Sequence, residues 1–425
     1  MKTKKSNKNK QFKRSLFWFR RDLRLQDNVG LAHALGESQE VIPLFVFDPL
    51  ILPGLLHQNH RAAFIHQSLQ EIQSQLRQWK SYLIVVHDDP RKIIPKLAKE
   101  WCVQAVYTNR DYEPYAKERD GEVRKALEKN NISFLAYKDQ VLFESGEVVK
   151  KDGGNFVVYS PYARAWRQKI EEDPVVLGKF ILQNSFFCQD RQLFGKFPFP
   201  SPLPLKAGEK TAQNSWKKFK KTIGQYHKNR DYPSLDATSG LSTPLRFGTI
   251  SIRQLVRETL LLESPGARCW LGELIWREFF SQILDNFPHV VDHPFRTRYE
   301  KISWPGKREH LLAWQEGRTG FPLIDAAMRH FARSGMMHNR LRMVVASFLV
   351  KTLLIDWRLG EEYFAHTLMD YDLASNNGNW QWCASTGCDA QPYFRIFNPV
   401  AQSQKYDANG DFIRLYCPEL KNFSA

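Results

Sequence analysis

The hydrophobic pattern of this chain changes period part-way along, and that change limits the fold more than any other feature. Short apolar runs occur at SLFWF (15–19), VIPLFVF (41–47), YLIVV (82–86), AVYT (105–108) and ISFLAY (132–137). Helix-like segments lie between them, clearest over 60–79 and 115–129. Strands alternating with helices imply a parallel sheet covered on both faces. The opening third therefore predicts an α/β domain built on a parallel five-stranded Rossmann-like sheet. No GxGxxG follows the first strand, so dinucleotide binding of that kind is not supported. From about residue 211 strand patterns vanish and helical periodicity takes over, punctuated by Pro and Gly. The expected divisions are a basic tail (1–14), the α/β domain (15–137), an interdomain connection (138–210) and an all-α domain (211–425). The connection holds KKDGGN and FPFPSPLPL, whose Gly and Pro mark loops. A length of 425 residues also exceeds what one core usually serves.

Charge points to the kind of partner. Lys and Arg (61) outnumber Asp and Glu (45), a net +16. The N-terminal MKTKKSNKNKQFKR carries seven of the cations and no acid, which leaves +9 on the rest. So basic a body suits a polyanionic partner. The six cysteines form no CxxC and no zinc-type spacing, so no metal site is expected and the thiols read as buried and reduced. The most apolar stretch, MVVASFLV, stops at Lys351 and is too short to span a bilayer. The expectation is a cytoplasmic monomer, associated with the nucleoid in a bacterium.

Four stretches carry chemistry. In WLGELIWREFFSQIL (270–284), Leu271, Ile275 and Phe279 make a core stripe, while Glu273, Trp276 and Arg277 share the opposite face at i, i+3, i+4. A surface ion pair beside a half-buried indole explains that face equally well. In MMHNRLRMVVASFLV (336–350), Leu341, Val345 and Phe348 form the stripe, and Asn339, Arg342 and Met343 lie on another face. Thr238, Ser239 and Ser242 cluster before a helix, where hydroxyls and free N–H groups hold a phosphate or merely cap. DYDLASNNGNWQWCASTG (370–387) packs two acids, three amides and two indoles into one short run.

Together these stretches resemble the photolyase/cryptochrome family of flavoproteins. The likeness runs from LFWFRRDLRLQDN (16–28) through NRDYEPYAKERD, TSGLS, ELIWREFF, GRTGFPLIDAAMR, MHNRLRM, DWRLGE and DLASNNGNWQW to PYFRIFNP. Within the family it resembles the class I enzymes that repair cyclobutane pyrimidine dimers in DNA. The resemblance implies FAD, active in its anionic reduced form, inside the helical domain. The positions matching its binding pattern are Tyr226, Thr238, Ser239, Gly240, Leu241 and Ser242, with Trp270, Arg277, Asn339, Arg342, Asp370, Asp372 and Asn376. It further implies an Arg342–Asp372 ion pair beside the flavin and an Asn376 amide on its ring edge. Glu273, Trp276, Asn339, Arg340, Met343 and Trp382 match lesion contacts, and Arg230, Arg395 and Lys405 match contacts to the DNA backbone. Trp380, Trp357 and Trp304 match a tryptophan relay between flavin and surface. The implied partner is UV-damaged DNA containing pyrimidine dimers, and the implied reaction is light-driven electron transfer from reduced FAD.

Some positions depart from the family pattern. Met336 stands where an aromatic is usual. The folate-binding Asn–Glu pair of some relatives is Tyr115 and Ala116 here, and a Cys–Lys pair is Val290 and Val291. Those changes weaken folate as a second, antenna chromophore and leave a deazaflavin, another pigment or an empty pocket. Relatives run on by several tens of residues past a segment like FIRLYCPEL, so a terminal helix is expected to be missing. A cryptochrome-type blue-light photoreceptor is the alternative function. Repair of (6-4) photoproducts goes with a two-histidine pattern where this chain has His338–Asn339, and a basic binding module without turnover is a third reading.

Overall fold

The computed structural model describes residues 10–51, 60–182, 186–190 and 206–423. The tail up to residue 9 and FPFPSPLPL lie outside the described residues. The chain forms two compact units. One comprises Met1–Glu144, Asp173–Trp216 and Pro244–Glu258; the other comprises Ser145–Glu172, Lys217–Thr243 and Thr259–Ala425.

The first unit is built on five strands, β1 (Phe12–Phe19), β2 (Ser38–Phe47), β3 (Ile84–His87), β4 (Ala105–Asn109) and β5 (Ser133–Tyr137). Every pairing is parallel and the order is β3-β2-β1-β4-β5. Parallel neighbours need crossovers, supplied by α1 (Val29–Glu37), α2 (His60–Gln78), α3 (Pro90–Glu100) and α4 (Pro114–Glu128). Local chemistry starts two of these helices. Asn28 accepts from the Leu31 N–H ahead of α1, and Asp89 accepts from Arg91 N–H ahead of α3, whose first residue is Pro90. Leu16, Trp18, Ile42, Leu44, Ile84 and Val106 are buried with Ile94 and Leu97 of α3 in one core. Each large side chain so buried contributes on the order of 1.5–3 kcal/mol.

The returning segment Pro244–Glu258 belongs to this unit for an electrostatic reason. Asp139 receives both Arg24 and Arg253 at 2.8 Å, and Arg253 also faces Asp27 at 3.7 Å. All four side chains are buried. Burial alone would raise the Asp139 pKa, but the two guanidiniums hold it below the usual carboxylate range.

The second unit is helical. It contains α5 (Tyr159–Glu172), α6 (Tyr226–Asn229), α7 (Ser242–Phe247, only its first residues in this unit) and α8 (Pro265–Asn286). After these come α9 (Pro322–Ser334), α10 (Asn339–Ser347), α11 (Trp357–Thr367), α12 (Leu373–Ala384) and α13 (Pro399–Tyr406). Side-chain caps fix the starts that matter for the site: Ser264 before α8, His338 before α10, Asp356 before α11, Asp372 before α12 and Asn398 before α13. Gly335 ends α9 at φ 66°, a left-handed turn that favours glycine. α10 continues into a π-helical turn, Phe348–Thr352. Trp314, Phe331, Leu341, Val345, Phe348, Phe364 and Trp380 share the core of this unit.

Helix α5 lies inside the stretch expected to be an interdomain connection. Its buried residues Tyr162, Ala163, Trp166 and Ile170 follow a helical spacing, and Trp166 donates to Glu278 of α8 at 2.6 Å. The Gly and Pro on either side of that stretch masked the periodicity. All six cysteines are free thiols, but Cys102 is exposed and Cys269 only half-buried, contrary to the expectation that all are buried. Cys102 sits in the turn that follows α3, at φ 53°.

Candidate active site

A partly open cavity of about 80 Å³ lies between α10, α11 and α12. Asn339, Arg342 and Met343 line it from α10, Asp370 and Asp372 from the approach to α12, and Asn376 and Trp380 from α12 itself. The i, i+3, i+4 spacing on α10 and the i, i+4 spacing of Asn376 and Trp380 turn these groups inward together. Seven of the expected site residues therefore meet in one place.

The ion pair beside this cavity differs from the one expected. Arg342 pairs with Asp370, at 2.8 and 3.1 Å, and donates through Nε to the Met337 carbonyl. Asp372 instead caps α12, accepting from the Ser375 N–H at 3.0 Å. A carboxylate at an N-cap is held by backbone donors and the helix dipole, which leaves Asp370 as the partner for Arg342.

Asn376 is engaged by a residue that the sequence reading passed over. Its amide donates to Oε1 of Glu361 at 2.8 Å and to the Glu361 carbonyl at 3.1 Å. Burial pushes the Glu361 carboxyl up to about 7. The signal was present. Glu361 follows Trp357 by four residues and precedes Phe364 by three, so it shares the buried stripe of α11.

Trp380 and Trp357 belong to one apolar cluster, and Trp304 packs on its margin. Trp380 meets Trp314 and Phe364 edge-on, at 6.2 and 5.1 Å between ring centroids. Gly360 of α11 lets the Trp380 ring lie against the helix that carries Trp357, because a Cβ there would run into that ring. Trp382 packs against the same cluster and faces Phe397, centroids 6.5 Å apart.

A second group of expected residues gathers along α8. Glu273 pairs with Arg230 at 2.5 Å, and Arg230 also donates to Cys269 Sγ at 3.3 Å. Arg230, expected to face DNA phosphate, thus has a carboxylate partner in this state. Trp276 lies face to face with Tyr159 of α5, centroids 3.6 Å apart and planes within 5°. Trp270 is buried against Phe219, which also meets Tyr226 edge-on. Arg277 is half-buried on the same helix. Arg340 pairs with Asp231 at 2.8 Å and lies over the Tyr406 ring, with Lys405 on that ring as well. Arg395 is exposed beside Phe397.

Thr238, Ser239, Gly240 and Leu241 lead directly into α7, whose first residue is Ser242. Gly240 has φ 64°, and Leu241 N–H donates to Ser239 Oγ at 3.3 Å. Met336 reaches this segment, with its sulfur 3.8 Å from Thr243 Oγ1. His338 accepts from the Arg340 N–H, and burial pushes its imidazole down to about 4, so it is neutral at physiological pH.

Two family patterns match in sequence: one described as DNA photolyase over residues 15–177, the other as the FAD-binding domain of DNA photolyase over residues 270–425. A deoxyribodipyrimidine photo-lyase of Synechococcus is 39% identical, over 96% of this chain and 88% of that protein. This chain belongs to the DNA photolyase family. Among solved structures, a bacterial class III photolyase from Agrobacterium tumefaciens superposes with a TM-score of 0.87 at 31% identity, covering 100% of this chain and 90% of that one. A Synechocystis cryptochrome gives 0.83 at 27% identity, covering 98% and 91%. Both have the architecture seen here, a parallel sheet unit followed by a helix-rich one.

The residues present suit the flavin that a photolyase FAD-binding domain takes. The cavity offers a cation already paired with one acid, a side-chain amide and an indole wall, which match a flat ring system with a polar, electron-accepting edge. At the positions of the folate pair, Tyr115 donates to Asp48 at 2.5 Å and Ala116 is buried and carries no polar group. The Val290 carbonyl already accepts from Asn377 and Gln381. Among the described residues no helix is long and apolar enough to cross a membrane.

Proposed function

We infer that this photolyase repairs cyclobutane pyrimidine dimers in DNA in a light-dependent reaction, as a carbon–carbon lyase. The observation that carries the reading is the cavity where Arg342–Asp370, Asn376 and Trp380 converge, in a chain related to named photo-lyases. Bound reduced FAD supplies a light-absorbing one-electron donor that the lesion borrows from and repays, with no net redox change.

The protein's own groups do the rest. Arg342 offsets negative charge on the flavin, and Asp370 keeps that guanidinium aimed into the cavity. Asn376 would meet the flavin edge from the cavity wall, with Glu361, which now takes both of its amide donations, behind it. Tyr226, Trp270, Arg277 and the Thr238–Ser242 segment hold the remainder of the dinucleotide, the hydroxyls taking phosphate. Trp380, Trp357 and Trp304 would carry an electron from an external reductant at the surface toward the flavin.

The dimer flips out of the duplex, at least cost because damage already weakens its stacking. Trp276 and Trp382 stack on its bases, a contact tolerant of base identity. Glu273 accepts a hydrogen bond from a base, and Asn339, Arg340 and Met343 complete the wall. Arg230, Arg395 and Lys405 fix the register through phosphates. Glu273 and Arg230 are paired before DNA arrives, so binding exchanges that ion pair for contacts on both partners.

The protein acts as a cytoplasmic monomer, on the nucleoid in a bacterium. A second pigment, if carried by the α/β unit, is a deazaflavin or another non-folate group, given Tyr115 and Ala116. Illumination of the reduced protein with an irradiated oligonucleotide, against a dark control, tests the reading. Dimers disappear only in the light, and Glu273→Ala and Trp276→Ala each slow their loss at least tenfold. A flavin-loaded protein that binds the lesion and repairs nothing would instead support the photoreceptor alternative.

A further inference from the structure

Lys351 lies in the π-helical turn that follows α10, and its side chain is buried, with 9% exposure. A π-turn adds a residue to the helical repeat and re-aims the side chains within it; such turns recur at functional sites. The ammonium has four partners: Ser385 Oγ at 3.0 Å and the carbonyls of Pro392, Tyr393 and Arg395 at 3.4, 3.1 and 3.1 Å. All are neutral. A buried cation without a carboxylate is costly, so the arrangement needs a reason beyond packing.

The reason lies in the loop that the ammonium gathers. With three of its carbonyls drawn inward, Pro392–Ile396 presents its side chains outward. Tyr393 is 64% exposed and Phe394 84%, and Arg395 projects between them and Ile396. The next residue is fixed from the same stretch of backbone: Phe397 N–H donates to Ser347 Oγ at 3.3 Å, and its ring faces Trp382. One helix end thus ties down the loop beside an expected lesion contact. Burial brings the Lys351 pKa down to about 8, with Arg395 adding to the shift and Cys383 opposing it, so the side chain is charged at neutral pH.

We propose that Lys351 is a positioning residue for damaged DNA, its buried ammonium holding the 392–396 loop in the outward conformation that meets the duplex. The proposal rests on the reading that this protein binds damaged DNA, and the phosphate role of Arg395 fails separately from it. Lys351 touches neither flavin nor lesion; it acts through the loop.

The test compares Lys351→Met, Lys351→Arg and Arg395→Ala, using an oligonucleotide with one thymine dimer. Lys351→Met weakens lesion binding about tenfold, while repair per absorbed photon at saturating DNA and flavin photoreduction stay at the parent level. Lys351→Arg, which keeps a cation with several donors, restores most of the affinity. Arg395→Ala weakens binding alone and adds little in the Lys351→Met background, the non-additivity of groups acting as one unit. Amide exchange at Arg395 and Phe397 speeds up in Lys351→Met and not in Arg395→Ala.

Affinity within twofold of the parent in Lys351→Met overturns the proposal, whatever Arg395→Ala does. Loss of flavin or of repair at saturating DNA in Lys351→Met also overturns it, by making the lysine a strut of the core. Weaker binding in Lys351→Met with Arg395→Ala silent leaves the proposal standing and removes only the phosphate role of Arg395.

Discussion

The two units handle buried polar groups in opposite ways. In the α/β unit Arg24, Arg253, Asp27 and Asp139 lie close together, and Asp139 is shared by both arginines. Every contact is protein to protein, and the network ties a distant segment of chain into the sheet unit. In the helical unit Arg342, Asp370, Asn376 and Glu361 are joined in two separate pairs around a cavity. The first network is closed and structural. The second borders a cavity, which Arg342, Asp370 and Asn376 line. A buried charge alone does not mark a site; what matters is whether its neighbours leave room for another molecule.

Removing a member of the closed network should have the largest effect. Asp139→Ala leaves two guanidiniums buried without their shared acid, and should cost about 3–5 kcal/mol in a denaturant titration. The flavin spectrum of the folded fraction should stay unchanged. Lost flavin with unaltered stability would erase the distinction between the units.

Arg342→Ala should do the converse. FAD affinity falls by about 2–3 kcal/mol, some 30–150-fold, read from flavin absorbance after dialysis. The melting temperature of the apoprotein changes less than it does for Asp139→Ala.

Gly360→Ala sharpens the comparison inside the helical unit. The added methyl meets the Trp380 ring, so overpacking should cost about 1–3 kcal/mol. Photoreduction of the flavin should slow as the indole shifts, while lesion binding in the dark is kept.

Glu361→Gln gives the smallest effect at acid pH, within about 1 kcal/mol where the carboxyl is already protonated, and the effect grows with pH. The folded pKa of about 7 lies above the ordinary 4.5. The folded protein therefore holds a proton that the unfolded chain releases across that window, and stability falls as pH rises through it. Melts of the apoprotein should show the variant gaining on its parent from pH 5 to pH 8 and not below pH 4.

Much of this was legible in the sequence. All five strands fall on the predicted apolar runs, because a parallel sheet buried on both faces writes itself as continuous Val, Ile, Leu and Phe. The face of α10 was legible from spacing, and the cavity does bring Asn339, Arg342 and Met343 together. The choice of acid for Arg342 was not. Asp370 and Asp372 are two residues apart, and only the start of α12 decides which one becomes a cap. Helix α5 was hidden by its Gly and Pro neighbours. Lys351 could be read only as the end of an apolar run, since its partners are backbone carbonyls more than thirty residues away, and carbonyls leave no trace in composition.

The most direct test of the central claim depletes the protein of FAD, restores it, and follows thymine-dimer loss under blue light at each stage. Repair should vanish with the flavin, return with reduced FAD, and remain absent when Arg342→Ala is reconstituted at the same FAD concentration. Dimer loss that continues in the depleted protein would contradict the assignment of the α10–α12 cavity as the site that drives repair.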